Sequence, residues 1–120
     1  MTDLEIALIA EYPLRAPDLL LIKKYAERTA MTAHEKDRSV PEDAYRHVLW
    51  SYLLTQEFDA EFAEQVTDAH EIGSTTNTEA DHRMDYNNNA VGRRFAAEGV
   101  TEFEILPRVR RDRSVIRQPA

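Results

Sequence analysis

Cysteine is absent from the chain, which excludes a disulfide framework and a thiolate metal site. Stability must then come from packing, and any metal would need His, carboxylate or amide ligands. No apolar run approaches the roughly 20 residues that span a bilayer. The opening residues, Met-Thr-Asp-Leu-Glu, are acidic where an export signal is basic, and no small-residue cleavage site follows an apolar stretch. A cytoplasmic protein is expected; secretion as a toxin would need another route. Strand-like alternation, internal repeats, Gly/Ser linkers and low-complexity segments are all missing. What remains is one domain's worth of ordinary globular sequence: 120 residues, 42% hydrophobic and 31% charged, enough to close a single core.

The net charge of −7 is unevenly spread. Residues 108–120 hold five Arg against one Asp, while the rest of the chain holds ten basic residues against twenty-one acids. An acidic body argues against broad DNA binding, because non-specific affinity comes mainly from phosphate neutralisation. The Arg run (Arg108, Arg110, Arg111, Arg113, Arg117) reads as a tail that is solvated or laid against the acidic body.

Helix punctuation organises the sequence. Thr2-x-x-Glu5 is a capping box ahead of Leu4, Leu8 and Tyr12, and Pro13 ends that run. Pro17 opens a second amphipathic stretch towards His34. Ser39-x-x-Glu42 reads as another capping box, before a segment to Phe58 that is apolar on most sides and therefore central. Asp59 caps the next helix, which Gly73 stops in the position that favours glycine. Thr78-x-x-Asp81 starts a helix running to Gly99, and Thr101-x-x-Glu104 starts a short one interrupted by Pro107. The expected fold is all-α, a compact bundle of about five to six helices around a central apolar helix. It divides into a helical domain at 1–107, with its motif-bearing core at 43–93, and an Arg-rich tail at 108–120.

Three of these helices carry polar anomalies. Asp43 and Ser51 lie one turn either side of His47, so a carboxylate and a hydroxyl can flank the imidazole, and Arg46 interrupts the same apolar surface. Asp68 and Glu71 share a face of the next helix, while the adjacent His70 and Glu71 point apart. The zinc-protease spacing fails there, because Ser74 stands where the second histidine belongs. Further on, Asp81, Asp85, Asn88, Asn89 and Gly92 recur at the spacing of a buried stripe. Asn87-Asn88-Asn89 opposes helix formation by about 0.5 kcal/mol per residue, so a tertiary role must compensate. An inward face would need partners such as Arg46, His47, His70 and Arg93, or water, or a cation, since an unpaired buried polar group costs about 1–3 kcal/mol. His34 and His82 read as exposed helix histidines.

The runs Asp43-Ala44-Tyr45-Arg46-His47-Val48-Leu49-Trp50, Thr67-Asp68-Ala69-His70-Glu71 and Met84-Asp85-Tyr86-Asn87-Asn88-Asn89-Ala90-Val91-Gly92-Arg93 together resemble a small bacterial helical domain, DUF6973. That domain occurs alone and at the C-terminal ends of RHS-type polymorphic toxins. The resemblance covers about the middle half of the chain. It implies a helical fold with a polar site built by Arg46, His47, Asp68, His70, Glu71, Asp85, Asn88, Asn89 and Arg93, with Trp50 alongside. No delivery domain accompanies the motifs here, so a housekeeping or phage-borne role stands beside a toxic one.

Two functions follow as expectations. The first is a hydrolase of esters or phosphodiesters. His47 or His70 serves as general base, Asp68, Glu71 or Asp85 orients it, and Arg46 supports the developing anion. Asn88, Asn89, Arg93 and Trp50 bind substrate, with a divalent metal ion as the cofactor to consider and Asp68, His70 and Asp85 as its candidate ligands. The substrate would be a small molecule, lipid or nucleotide. The alternative is a non-enzymatic scaffold that binds a protein partner, its polar cluster serving as a structural network.

Overall fold

The computed structural model describes residues 1–119; Ala120, the last residue of the expected tail, lies outside them. Six helices follow one another: α1 (Asp3–Glu11), α2 (Ala16–Lys36), α3 (Glu42–Glu57), α4 (Ala60–Gly73), α5 (Glu79–Ala97) and α6 (Glu102–Arg111). No strand occurs among the described residues, and no helix is long and apolar enough to cross a membrane.

Local chemistry sets most boundaries. Both halves of the capping box form at Thr2/Glu5 and Thr78/Asp81, the Glu104 carboxylate accepts from the Thr101 amide and hydroxyl, and Asp59 accepts from the Phe62 amide at 2.7 Å. Each satisfies orphan N–H groups of a first turn. The Ser39 box does not form. The Ser39 hydroxyl bonds Asp37 at 2.7 Å, and Pro41 takes the N-cap position of α3 without a side-chain bond. Gly73 also has a role other than the expected one. It is the last residue of α4 and has no positive φ, while a Cβ there would stand 2.3 Å from the Thr2 side chain, so the missing side chain admits the start of α1. Among the described residues only Gly99 takes a positive φ, +77°, and it ends α5 as glycine readily does.

Helix α3 is the axis of the bundle, packing against α2, α4, α5 and α6, while α1 lies on α4. Val48, Leu49, Tyr52 and Leu54 of α3 are fully buried, and Phe62, Phe95, Ile105 and Val109 close over them from α4, α5 and α6. Burial of each large side chain contributes about 1.5–3 kcal/mol.

The C-terminal segment is part of this packing. Helix α6 runs through Pro107 to Arg111, so Arg108, Arg110 and Arg111 fill its last turn, where cations suit the helix dipole. Val115 is buried beyond it. The Asn88 amide donates to the Ile116 carbonyl at 2.8 Å and accepts from the Ile116 N–H at 2.9 Å, and Asn87 donates to the Ser114 carbonyl at 2.6 Å. Arg110 reaches Asp37 at 2.9 Å, which lays the basic segment on the acidic body. Asn88→Ala removes both Ile116 bonds and should lower stability by about 2 kcal/mol in urea unfolding. Removing residues 112–120 should cost a similar amount, and the two losses should overlap strongly when combined. Full additivity would mean that Asn88 does not act through the tail.

Candidate active site

The site begins with an absent side chain. A Cβ on Gly92 would stand 2.3 Å from the Val48 carbonyl oxygen and 3.0 Å from Ser51 Cβ, so only glycine lets α5 lie this close to α3. The polar stripe of α5 is thereby pressed onto the His47 face of α3. Ser51 Oγ donates to the Asn89 carbonyl at 2.6 Å; the hydroxyl is spent on backbone rather than on the imidazole it was expected to flank. The Asn89 amide oxygen lies 3.2 Å from His47 Nδ1. An amide oxygen only accepts, so Nδ1 carries the proton and Nε2 keeps its lone pair. That nitrogen faces Asp85 Oδ1 at 3.3 Å. Asp43, one turn before His47, brings a carboxylate oxygen to the same place: among the described residues, donor atoms of Asp43, His47 and Asp85 all lie within 4.8 Å of one another. Arg46 is ion-paired with Asp43.

Burial makes this cluster electrically unusual. The His47 imidazole is pushed down to about 4, first by desolvation and then by Arg46, with Asp43 and the Asn89 bond opposing. Desolvation, helped by the negative charges of Glu71 and Asp43, pushes the Asp85 carboxyl up to about 8. Both groups are driven towards their neutral forms, as expected for ionisable groups 2–3% exposed.

A second arrangement faces it across a cleft. His70 of α4 meets the Trp50 ring edge-on, with centroids 5.4 Å apart, and lies 6.4 Å from the His47 ring. His70 Nδ1 is 2.8 Å from Glu5 Oε1, and the other Glu5 oxygen accepts from Lys23 Nζ at 2.8 Å. Glu5 also accepts the Thr2 amide at 2.9 Å, completing its cap. Burial opposes its charge, but the bonds from His70, Lys23 and Thr2 outweigh that and hold the carboxyl far below the usual carboxylate range. Lys23, Glu27, Arg46, His47, Trp50 and His70 line an open cleft of about 180 Å³.

The remaining expected residues go elsewhere. Glu71 is buried and bonds His82 Nδ1 at 3.1 Å, away from His70. Arg93 reaches Glu64 at 3.4 Å. The half-buried Asp68 carboxyl is raised by desolvation and by Glu64, with Arg93 opposing, which places it in that same group. Asn88 is committed to the tail and not to a ligand. Of the expected metal ligands only Asp85 belongs to the converging set, because His70 turns to Glu5 and Asp68 sits by Glu64 and Arg93. The other two donors of that set are Asp43 and His47.

The sequence profile of a domain of unknown function, DUF6973, matches residues 6–109. The chain belongs to this family. No curated protein and no solved structure matches it.

The DUF6973 span contains every member of the His47 cluster and begins one residue after Glu5. Glu5, Lys23 and Glu27 had not been expected in the site. Glu5 is fully explained in sequence as the second half of a capping box, and nothing local shows that its carboxylate also meets a histidine 65 positions later. His82 was read as exposed, yet it is only 26% exposed and partners a wholly buried acid, Glu71. The only sequence signal for that pair is Glu71 in register with Phe62, Ala63, Val66 and Thr67, the face that α4 turns inward.

Proposed function

We propose that this DUF6973 domain hydrolyses an anionic ester, best matched by a phosphodiester, with His70 as the base that activates water. The observation that carries the reading is the Glu5–His70 pair at the edge of the Lys23/Arg46 cleft. Glu5 accepts the Nδ1 proton of His70, fixing the tautomer in which Nε2 holds the lone pair. A water at Nε2 gives up its proton as it attacks the phosphorus, the ionised Glu5 stabilises the imidazolium that results, and the imidazolium returns that proton to the ester oxygen as its P–O bond breaks and the alcohol leaves. Lys23 and Arg46, each paired from behind with Glu5 or Asp43, line the cleft wall and supply N–H donors that counter the charge developing on the non-bridging oxygens. Trp50 offers an apolar wall beside His70. The resemblance to domains borne by bacterial RHS-type toxins supports a hydrolytic role. A cytoplasmic site of action is consistent with the reading.

The alternative, a scaffold held by a buried network, draws support from Asn87, Asn88 and Ser51, whose bonds go to backbone apart from the one that joins Asn87 to Asn88. Hydrolysis of bis(p-nitrophenyl) phosphate and of a neutral p-nitrophenyl carboxylic ester separates the two readings. Turnover of the diester is expected, with kcat/KM falling about 10–100-fold in Arg46→Ala and by much less on the neutral ester. If neither ester is cleaved, the scaffold stands and the hydrolase does not.

A further inference from the structure

The buried end of the site points to a different ligand. Its centre is His47 Nε2 facing Asp85 Oδ1 at 3.3 Å. Although that is a short contact, its angles make no hydrogen bond, and Asp85 Oδ1 has no other partner while the residue is 3% exposed. Two acceptors held this close in a desolvated place need something positive beside both of them. Either a proton or a cation would serve.

Three features of the surroundings favour the cation. The His47 tautomer is set from behind by the Asn89 amide oxygen, which is how metal-ligating histidines are usually oriented, with the free nitrogen turned to the ion. A third donor, the Asp43 carboxylate, converges on the same point, which a shared proton would not require. The spacing also fits. Two ligands about 2.1 Å from a tetrahedral ion stand about 3.4 Å apart, close to the separation seen between Nε2 and Oδ1. Asp43 is half exposed and held only by Arg46 from its own helix, so it can swing inward to close the site. Further orphaned atoms, Trp50 Nε1 and Asn89 Nδ2, belong to residues that touch His47 and suit waters on the ion's open positions.

We infer that Asp43, His47 and Asp85 form a site for one divalent transition-metal ion. One imidazole and two carboxylates give a mixed nitrogen and oxygen set with two negative charges, enough to neutralise a dication. The imidazole in the set favours Zn2+ over Ca2+ and Mg2+, which prefer oxygen alone, and the two carboxylates also suit Mn2+. The inference does not rest on hydrolysis, since binding is read without turnover.

The test is calorimetric titration of chelator-treated, full-length protein with Zn2+ and, separately, Mn2+. One ion per chain is expected for at least one of the two metals, with Asp43→Asn weakening it at least tenfold. Asp43 lies on the surface, so this variant should keep the metal-free melting temperature and helical circular dichroism of the wild type. Asp85→Asn, if it folds, should abolish binding. Absence of binding with both metals, or an Asp43→Asn variant that binds as tightly as the wild type, would overturn the site.

Discussion

Gly92→Ala should destabilise the protein by about 3 kcal/mol or more in urea unfolding, the largest loss expected from adding a single methyl group to this fold. The atom it would meet, 2.3 Å away, is the backbone carbonyl oxygen of Val48, and Ser51 Cβ and the Tyr52 amide stand at 3.0 Å. A backbone cannot rotate aside as a side chain can. Relief requires that α5 move off α3, and α3 is held on its other sides by α2, α4 and α6. Overpacking usually costs about 1–3 kcal/mol; rigid backbone on the receiving side puts this case at or above the top of that range. The other two glycines provide the scale. Gly99→Ala meets nothing within 4 Å but inherits a φ of +77°, for which about 1–2 kcal/mol is expected. Gly73→Ala meets Thr2 Cβ at 2.3 Å, which no side-chain rotation moves, so the start of α1 must shift and its cap is put at risk. Moving α5 would also pull Asp85 and Asn89 away from His47, so any metal affinity should fall with stability. A Gly92→Ala variant within 1 kcal/mol of wild type would show that the α3–α5 contact is looser than described.

How much of this was legible in the sequence depends on the range of the interaction. Thr2, Asp59, Thr78 and Thr101 announce helix starts because a cap bonds within four residues; the first three side chains cap their helices, and at Thr101 the Glu104 carboxylate reaches back instead. Ser39-x-x-Glu42 carries the same signature and fails, since Asp37 two residues earlier competes for the hydroxyl. The central position of α3 was readable from its all-round apolar surface. The Asn87-Asn88-Asn89 run was readable as a demand for tertiary partners, because isolated helices disfavour it. What no local pattern shows is how the demand divides: Asn87 and Asn88 hold residues 114–116, and only Asn89 serves His47. Gly92 looked like one more member of the polar stripe, although its lack of a side chain is what brings the stripe to the histidine. Glu5 was hidden most completely, its local role having left no remainder to explain.

Glu5 and His70 carry the largest functional effect expected. His70→Ala should lower kcat/KM on a phosphodiester by about 10²–10⁴-fold, the usual contribution of a positioned general base and equivalent to about 3–5 kcal/mol of transition-state stabilisation. Glu5→Gln keeps an amide oxygen that can accept from Nδ1 but removes the charge that stabilises the imidazolium, so a smaller loss, about 10–100-fold, should appear mainly in kcat. Stability against pH gives an independent reading of the same pair. The folded-state pKa of Glu5 lies below its ordinary value of 4.5, so its stabilising contribution is complete above that pH. Below it the unfolded chain binds the proton first and the contribution is progressively lost. The wild type should therefore lose stability on acidification below about pH 4.5 more steeply than Glu5→Gln, by up to about 1.4 kcal/mol per pH unit. Lys23 and the Thr2 amide contribute to that slope, and the share owed to His70 is what His70→Ala removes from it. Identical acid limbs in wild type and Glu5→Gln would mean that the carboxylate is not held as an ion in the folded protein, and His70 would then have no partner able to make it a base.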